Sequence, residues 1–229
     1  MSKKILNIGH RGAMGYETEN SLASVQKALD LGVDAIEIDV FTIESGEVVV
    51  FHDEDVDRLT NGVGAIEKFK YDQLRKLELQ GGHRIPLLDE VLTLIDGKCK
   101  INIELKGANT AFNVYNSINH YIKKGNWKID DFLISSFNWD ELTVFYQLTR
   151  NIAIGILTEE EPLNAITKAK ELKAIAIHPD YQTLTQKKVT TIKEEGFKIY
   201  TWTVNAPKAI AKMKDFKVDG IITNYPDRV

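Results

Sequence analysis

Short runs rich in β-branched and aromatic residues recur along the chain, and nearly every one is followed by an amphipathic segment of helical period. The runs fall at 4–9, 35–40, 100–105, 132–135, 152–157, 174–178, 198–204 and 220–223, each flanked by Gly, Pro, Asp or Lys. The helical pattern occupies 21–31, 88–95, 110–124, 140–148, 163–172, 185–195 and 207–214. In the first of these, Leu22, Val25, Ala28 and Leu29 share a face, and Asn20 is the expected N-cap. Pro207 suits a first helical turn. Strands that alternate with helices imply parallel pairing and right-handed crossovers. About eight such units in 229 residues predict a TIM (β/α)8 barrel. A doubly wound open sheet has the same periodicity and stays open as the competing architecture. No linker rich in Pro, Gly or Ser divides the chain, so one domain over 1–229 is expected.

One unit is irregular. A second strand-like run, 48–52, follows 35–40, and a turn-rich stretch then continues to Leu88. It includes Asn61-Gly62, a strong turn signal. We read 53–86 as a small loop region inserted after the second strand. Long loops in compact domains are usually functional, and in a barrel the loop after a strand lies on the catalytic face.

Composition removes several functions. The net charge of -4 disfavours nucleic acid and anionic membrane surfaces, which want a basic face. No run approaches the ~18 apolar residues of a spanning helix, and the opening MSKKILNIGHRG lacks a signal-peptide core. We therefore expect a cytoplasmic protein without stable membrane insertion. Cys99 is the only cysteine, which excludes an intramolecular disulfide and a thiolate metal site and suggests a structural or incidental role. No Walker loop, GxGxxG or GxSxG is present.

The chemistry sits at strand ends. Side chains alternate across a strand, so Glu37 and Asp39 share one face while Ile36, Ile38 and Val40 take the other. The run 100–105 repeats this, with Asn102, Glu104 and then Lys106 on the polar face. Buried carboxylates are costly without a partner. A hard divalent cation held by Glu37, Asp39 and Glu104 would supply one; an internal salt bridge, from Glu104 to Lys106 or to an arginine, would serve as well. His10 and Arg11 end the first run and His52 ends the extra one, which offers two imidazoles for acid–base work. Arg11 and Lys106 suit phosphate. Trp202 could wall a pocket or pack the barrel. His178 precedes Pro179 at a strand end and could reach the pocket; His83 falls in a loop and His120 in a helical pattern.

Several segments in order resemble the glycerophosphodiester phosphodiesterase family, of the small bacterial cytoplasmic kind. They are His10-Arg11-Gly12 with Glu19-Asn20-Ser21, Ile36-Glu37-Ile38-Asp39-Val40, Val50-Phe51-His52-Asp53, Asp57-Arg58-Leu59-Thr60-Asn61-Gly62, Ile85 to Leu92, Asn102-Ile103-Glu104-Leu105-Lys106, Thr201 to Asn205, and Val218 to Pro226. The resemblance covers nearly the whole chain. It implies a TIM barrel with an insertion after the second strand. It implies hydrolysis of sn-glycerol 3-phosphodiesters, with His10 and His52 as general acid and base. By the same resemblance, Glu37, Asp39 and Glu104 hold Mg2+ or Ca2+, Arg11 and Lys106 bind phosphate, Trp202 walls the pocket, and Glu19 and Asn20 support the first loop. In the family the substrate's own 2-hydroxyl is thought to attack; the sequence leaves this and direct attack by water both open. Asn224 stands where the family often has Asp, and the first loop lacks the proline often seen before the Glu-Asn pair. Two other readings stay open: a lysophospholipase D of the same fold, which the polar character of 53–84 argues against, and a noncatalytic glycerophosphodiester-binding barrel. An exposed apolar patch could support a homodimer.

Overall fold

The computed structural model describes residues 4–229; residues 1–3, part of the opening read for a leader peptide, lie outside the described residues. Nine strands form: β1 (Leu6–His10), β2 (Ala35–Thr42), β3 (Val48–Val50), β4 (Lys100–Leu105), β5 (Phe132–Ser136), β6 (Ala153–Thr158), β7 (Ala176–Pro179), β8 (Lys198–Thr201) and β9 (Gly220–Thr223). Eight of them are parallel, in the order β1-β9-β8-β7-β6-β5-β4-β2, and β1 pairs with β2 to close the ring. That closure selects the barrel over the open sheet. Strand β3 runs antiparallel on the β2 extension and stands outside the ring. Helices α1 (Leu22–Asp30), α2 (Tyr71–Leu74), α3 (Leu88–Ile95), α4 (Thr110–Lys124), α5 (Trp139–Leu148), α6 (Ala165–Glu171), α7 (Gln186–Glu194) and α8 (Pro207–Asp215) complete the order. Among the described residues no helix is long and apolar enough to cross a membrane.

The strand alternation has the expected consequence. Ile36, Ile38 and Val40 point outward into the main core, with Val25 and Ala28 of α1 and Val91 and Leu92 of α3. Each such fully buried side chain contributes roughly 1.5–3 kcal/mol. Leu22, expected on this face, is instead exposed. The N-cap of α1 is Ser21, not Asn20: Ser21 has the extended backbone a cap requires (φ -91, ψ 159), and its Oγ accepts from Ser24 N at 3.1 Å. Asn20 has a left-handed φ of 56 that turns its amide away from the helix.

The stretch after β3 is more than a loop. Phe51, Val56, Leu59, Ile66, Leu74, Leu79 and Ile85 bury one another, with Phe41 of β2, Ile43 just past its end and Val49 of β3, in a separate apolar cluster. The sequence hides this because its apolar residues fall at no constant period.

Inside the ring, side chains stack in layers drawn from alternate strands. The register brings Glu37, Ser135, His178 and Ile222 level with one another, directly above Ile8, Asn102, Gly155 and Tyr200. Gly155 makes room for His178: a Cβ there would lie 2.3 Å from the His178 Nε2. His178 is fully buried and neither ring nitrogen has a hydrogen-bond partner, so burial pushes its pKa down to about 3.

A folded-state pKa below the unfolded value of 6.5 means that His178 stabilises the fold fully above about pH 6.5 and progressively less as pH falls toward 3. At about 1.4 kcal/mol per pK unit, the loss attributable to His178 between pH 7 and pH 5 is about 2 kcal/mol. Urea unfolding at the two pH values should therefore show a pH difference smaller by that amount in His178→Leu than in the native chain. Equal differences in the two proteins would remove His178 as the source.

Candidate active site

The site forms at the C-terminal end of the strands. Glu37 and Asp39 project inward from β2, and Glu104 of β4 is in register with Asp39. All three are buried, and one oxygen from each lies within 4.8 Å of the others. Like charges that close repel by about 3 kcal/mol or more per pair at an effective dielectric near 20. Accordingly Glu37 is raised well above the usual carboxylate range by burial, then by Asp39 and Glu104. Glu104 is raised by burial and Asp39, against Lys106.

Positive groups answer part of this charge. Arg11 Nε lies 3.2 Å from Asp39 Oδ2, and Lys106 Nζ lies 3.1 Å from Glu104 Oε1. The Arg11 backbone N–H donates to Glu37 Oε2 at 3.0 Å, and Asn20 Nδ2 donates to Asp39 Oδ2 at 2.9 Å. Glu37 Oε1 remains buried with no hydrogen-bond partner. The salt bridges that spacing allowed are thus real, and they leave an anionic remainder.

A second tier surrounds the first. Glu19 accepts from Arg11 Nη1 at 2.6 Å and from Arg58 Nη2 at 2.8 Å, and Arg58 Nε donates to Asp53 at 2.5 Å. Arg58 holds Asp53 down at about 2. Across the network, five carboxylates (Glu19, Glu37, Asp39, Asp53, Glu104) face three cations (Arg11, Arg58, Lys106). Counted as ionised, the carboxylates exceed the cations by two, a charge that one divalent cation would balance, and an all-oxygen donor set with a free buried oxygen fits a hard ion. Glu37, Asp39 and Glu104 could hold it.

Both histidines open onto the same pocket. His10 Nδ1 lies 2.7 Å from Asn224 Oδ1, and His52 Nδ1 lies 2.7 Å from Asp53 Oδ1. Each partner is an acceptor, so each Nδ1 carries the hydrogen and each Nε2 keeps its lone pair. His52 Nε2 is 3.4 Å from Lys106 Nζ; His10 Nε2 is 4.0 Å from Glu37 Oε2. Burial and the neighbouring Arg11 charge push His10 down to about 4. Trp202 joins the wall with its ring fixed by an Nε1–H bond to the His178 carbonyl at 2.8 Å.

The pocket holds about 320 Å³ and gathers all the predicted site residues except Asp39, which is buried behind Arg11 and Asn20. It also takes in Phe137 and Glu159, which sequence reasoning did not single out. His178 shares a layer with Glu37 and Ile222, but its ring turns down over Gly155 and against Tyr200, so it does not join the lining; His83 and His120 also stand outside it. Cys99 is also remote, with its thiol pushed up to about 12 by burial, which suits the structural role expected of it. A cavity of about 260 Å³ at the opposite end of the barrel carries neither histidines nor a carboxylate triad among its described lining.

The backbone at the first strand end is strained to serve this arrangement. Arg11 has a left-handed φ of 49. Gly12 follows at φ 82, and a Cβ there would come within 2.5 Å of Ser24 backbone. Only glycine permits that close return onto α1.

A sequence model of the Glycerophosphoryl diester phosphodiesterase family matches residues 10–228. The chain is 34% identical to a protein of Caldanaerobacter subterraneus subsp. tengcongensis named glycerophosphodiester phosphodiesterase, over 98% of this chain and 96% of that one. A protein of Bacillus altitudinis with the same name is also 34% identical, over 96% and 94%. Among solved structures, an Oleispira antarctica phosphodiesterase in complex with the product sn-glycerol-3-phosphate superposes with a TM-score of 0.88 at 28% identity, covering 96% of this chain and 93% of that one.

The charge excess predicts opposite responses with and without an ion. In chelator, Glu37→Gln should raise Tm, because the amide avoids the cost of burying a carboxyl beside Asp39 and Glu104. In excess Mg2+ or Mn2+ the native chain should gain Tm by ligand linkage, and Asp39→Asn should lose most of that gain. A melting temperature indifferent to metal in the native chain would remove the cation site.

Proposed function

The chain belongs to the glycerophosphoryl diester phosphodiesterase family, and we propose that it hydrolyses sn-glycerol 3-phosphodiesters to sn-glycerol 3-phosphate and an alcohol. One observation carries the reading: two imidazoles and two cationic side chains, Arg11 and Lys106, line one pocket over a carboxylate triad.

In this reading Glu37, Asp39 and Glu104 hold Mg2+ or Ca2+. The bound ion supplies positive charge to the phosphoryl oxygens. Arg11 and Lys106 donate to those oxygens and orient the diester. His10 and His52 form the acid–base pair: one takes the proton of the attacking hydroxyl, and the other returns a proton to the alkoxide as the P–O bond to the alcohol breaks. Asp53 keeps His52 in the tautomer that presents Nε2. Trp202 bounds the end of the substrate away from the phosphate. The lysophospholipase D alternative needs a surface for an acyl chain. Most apolar residues of the inserted segment are consumed by their own core, with Val63 the one large apolar residue of the segment left exposed, and this favours the smaller substrate. A lone cysteine and an acidic net charge support cytoplasmic action on a small molecule.

An enzymatic assay of glycerol 3-phosphate release from glycerophosphocholine tests this directly. Removing a general acid or base costs roughly 10²–10⁴-fold in rate, so His10→Ala and His52→Ala should each lower kcat by that amount, and chelation should suppress turnover until Mg2+ or Ca2+ is restored. Asp53→Asn should lose less than His52→Ala. Failure to release glycerol 3-phosphate from any glycerophosphodiester would overturn the assignment.

A further inference from the structure

The rim of the pocket is divided. Arg11, the carboxylates and Lys106 come from β1, β2 and β4, adjacent in the ring. The other side of the ring carries Phe137 after β5, Glu159 after β6 and Trp202 after β8. Phe137 and Trp202 stand edge to face, with centroids 5.4 Å apart and planes at 89°. Phe137 is 41% exposed, so its ring is open to a ligand in the pocket. Lys106 Nζ lies 5.9 Å from its centroid, so the ring marks the border between the two sides. Glu159 is exposed at the pocket and pairs with no group among the described residues, whereas Glu161, two residues on, is tied to Lys188 at 2.8 Å.

From this arrangement we infer that Phe137, Trp202 and Glu159 form a subsite for a cationic alcohol, so that the preferred substrates are glycerophosphodiesters whose leaving group carries an ammonium. The inference rests on the phosphodiesterase reading above and names its substrate class. Aromatic walls attract alkylated ammonium groups through the ring quadrupole, and an unpaired carboxylate supplies the opposite charge. A zwitterionic diester then meets cations at its phosphate and an anion at its ammonium. A neutral alcohol can at most donate a hydrogen bond to Glu159 and gains no ion pairing from it.

The test compares kcat/KM of the full chain, at fixed metal, for glycerophosphocholine and glycerophosphoethanolamine against glycerophosphoglycerol and glycerophosphoinositol. The cationic pair should be favoured about tenfold, within the range of a partly desolvated cation–π contact. That ratio should collapse toward one in Glu159→Gln and in Phe137→Leu. Choline should inhibit competitively, and its neutral isostere 3,3-dimethylbutan-1-ol should inhibit much more weakly. A native ratio near one would overturn the subsite while leaving the phosphodiesterase reading intact. So would an equal loss on all four diesters in Glu159→Gln, because Glu159 would then hold the glycerol they share. No glycerol 3-phosphate from any diester would overturn the parent reading and the subsite with it.

Discussion

Three carboxylates buried within 4.8 Å of one another set the terms for the residues around them. An apolar barrel does not accept such a cluster without compensation, and the first strand–helix connection provides it. The two non-glycine residues of that connection with left-handed φ, Arg11 and Asn20, are the ones that reach the cluster. Arg11 gives its backbone N–H to Glu37 and its guanidinium to Asp39; Asn20 gives its amide to Asp39. Their backbone strain is therefore offset by interactions with buried charge, and Gly12 supplies the turn that lets both happen. This also explains why Asn20 leaves the capping of α1 to Ser21.

The inserted segment serves the same cluster from further out. Its separate apolar core gives Asp53 and Arg58 a fixed base. Arg58 joins Asp53, on the segment, to Glu19, on the first loop. Asp53 in turn orients His52, and Glu19 orients Arg11. The two histidines are consequently held in different ways. His10 leans on a neutral amide from the last βα connection, and His52 leans on a carboxylate locked in its charged form. Either contact fixes the tautomer, but only the second can stabilise an imidazolium electrostatically.

Much of this was legible because strands alternate. Glu37, Asp39 and Glu104 could be placed on one face from a two-residue period, and His10, Arg11 and Lys106 from their position at strand ends. The same parity, carried two residues past the end of a strand, would have found more. Phe137 continues Leu133 and Ser135, and Glu159 continues Gly155 and Leu157. They were passed over because they lie outside the runs that look like strands. Arg58 was out of reach by this route: its role depends on how the inserted segment folds, and that segment has no period to read. His178 misled for a related reason. Parity puts it inside the barrel at the level of Glu37, but its ring follows the gap left by Gly155 and turns away from the pocket, and a glycine on a neighbouring strand is paired with it only once the register is known.

The bulk net charge of -4 invites the conclusion that the protein avoids anions. The local arrangement reverses it. In the network around the triad the carboxylates, counted as ionised, outnumber the fixed cations by two, and a cation in their midst would turn that half of the rim into a phosphate-binding surface. The opposite half, with two aromatic rings and an unpaired carboxylate, keeps a negative end. A pocket with one positive and one negative end has a dipole that the net charge of the chain cannot report. Its complement is a substrate whose own charges are separated in the opposite sense, and the ring of strands fixes the orientation by placing the two halves across the barrel axis.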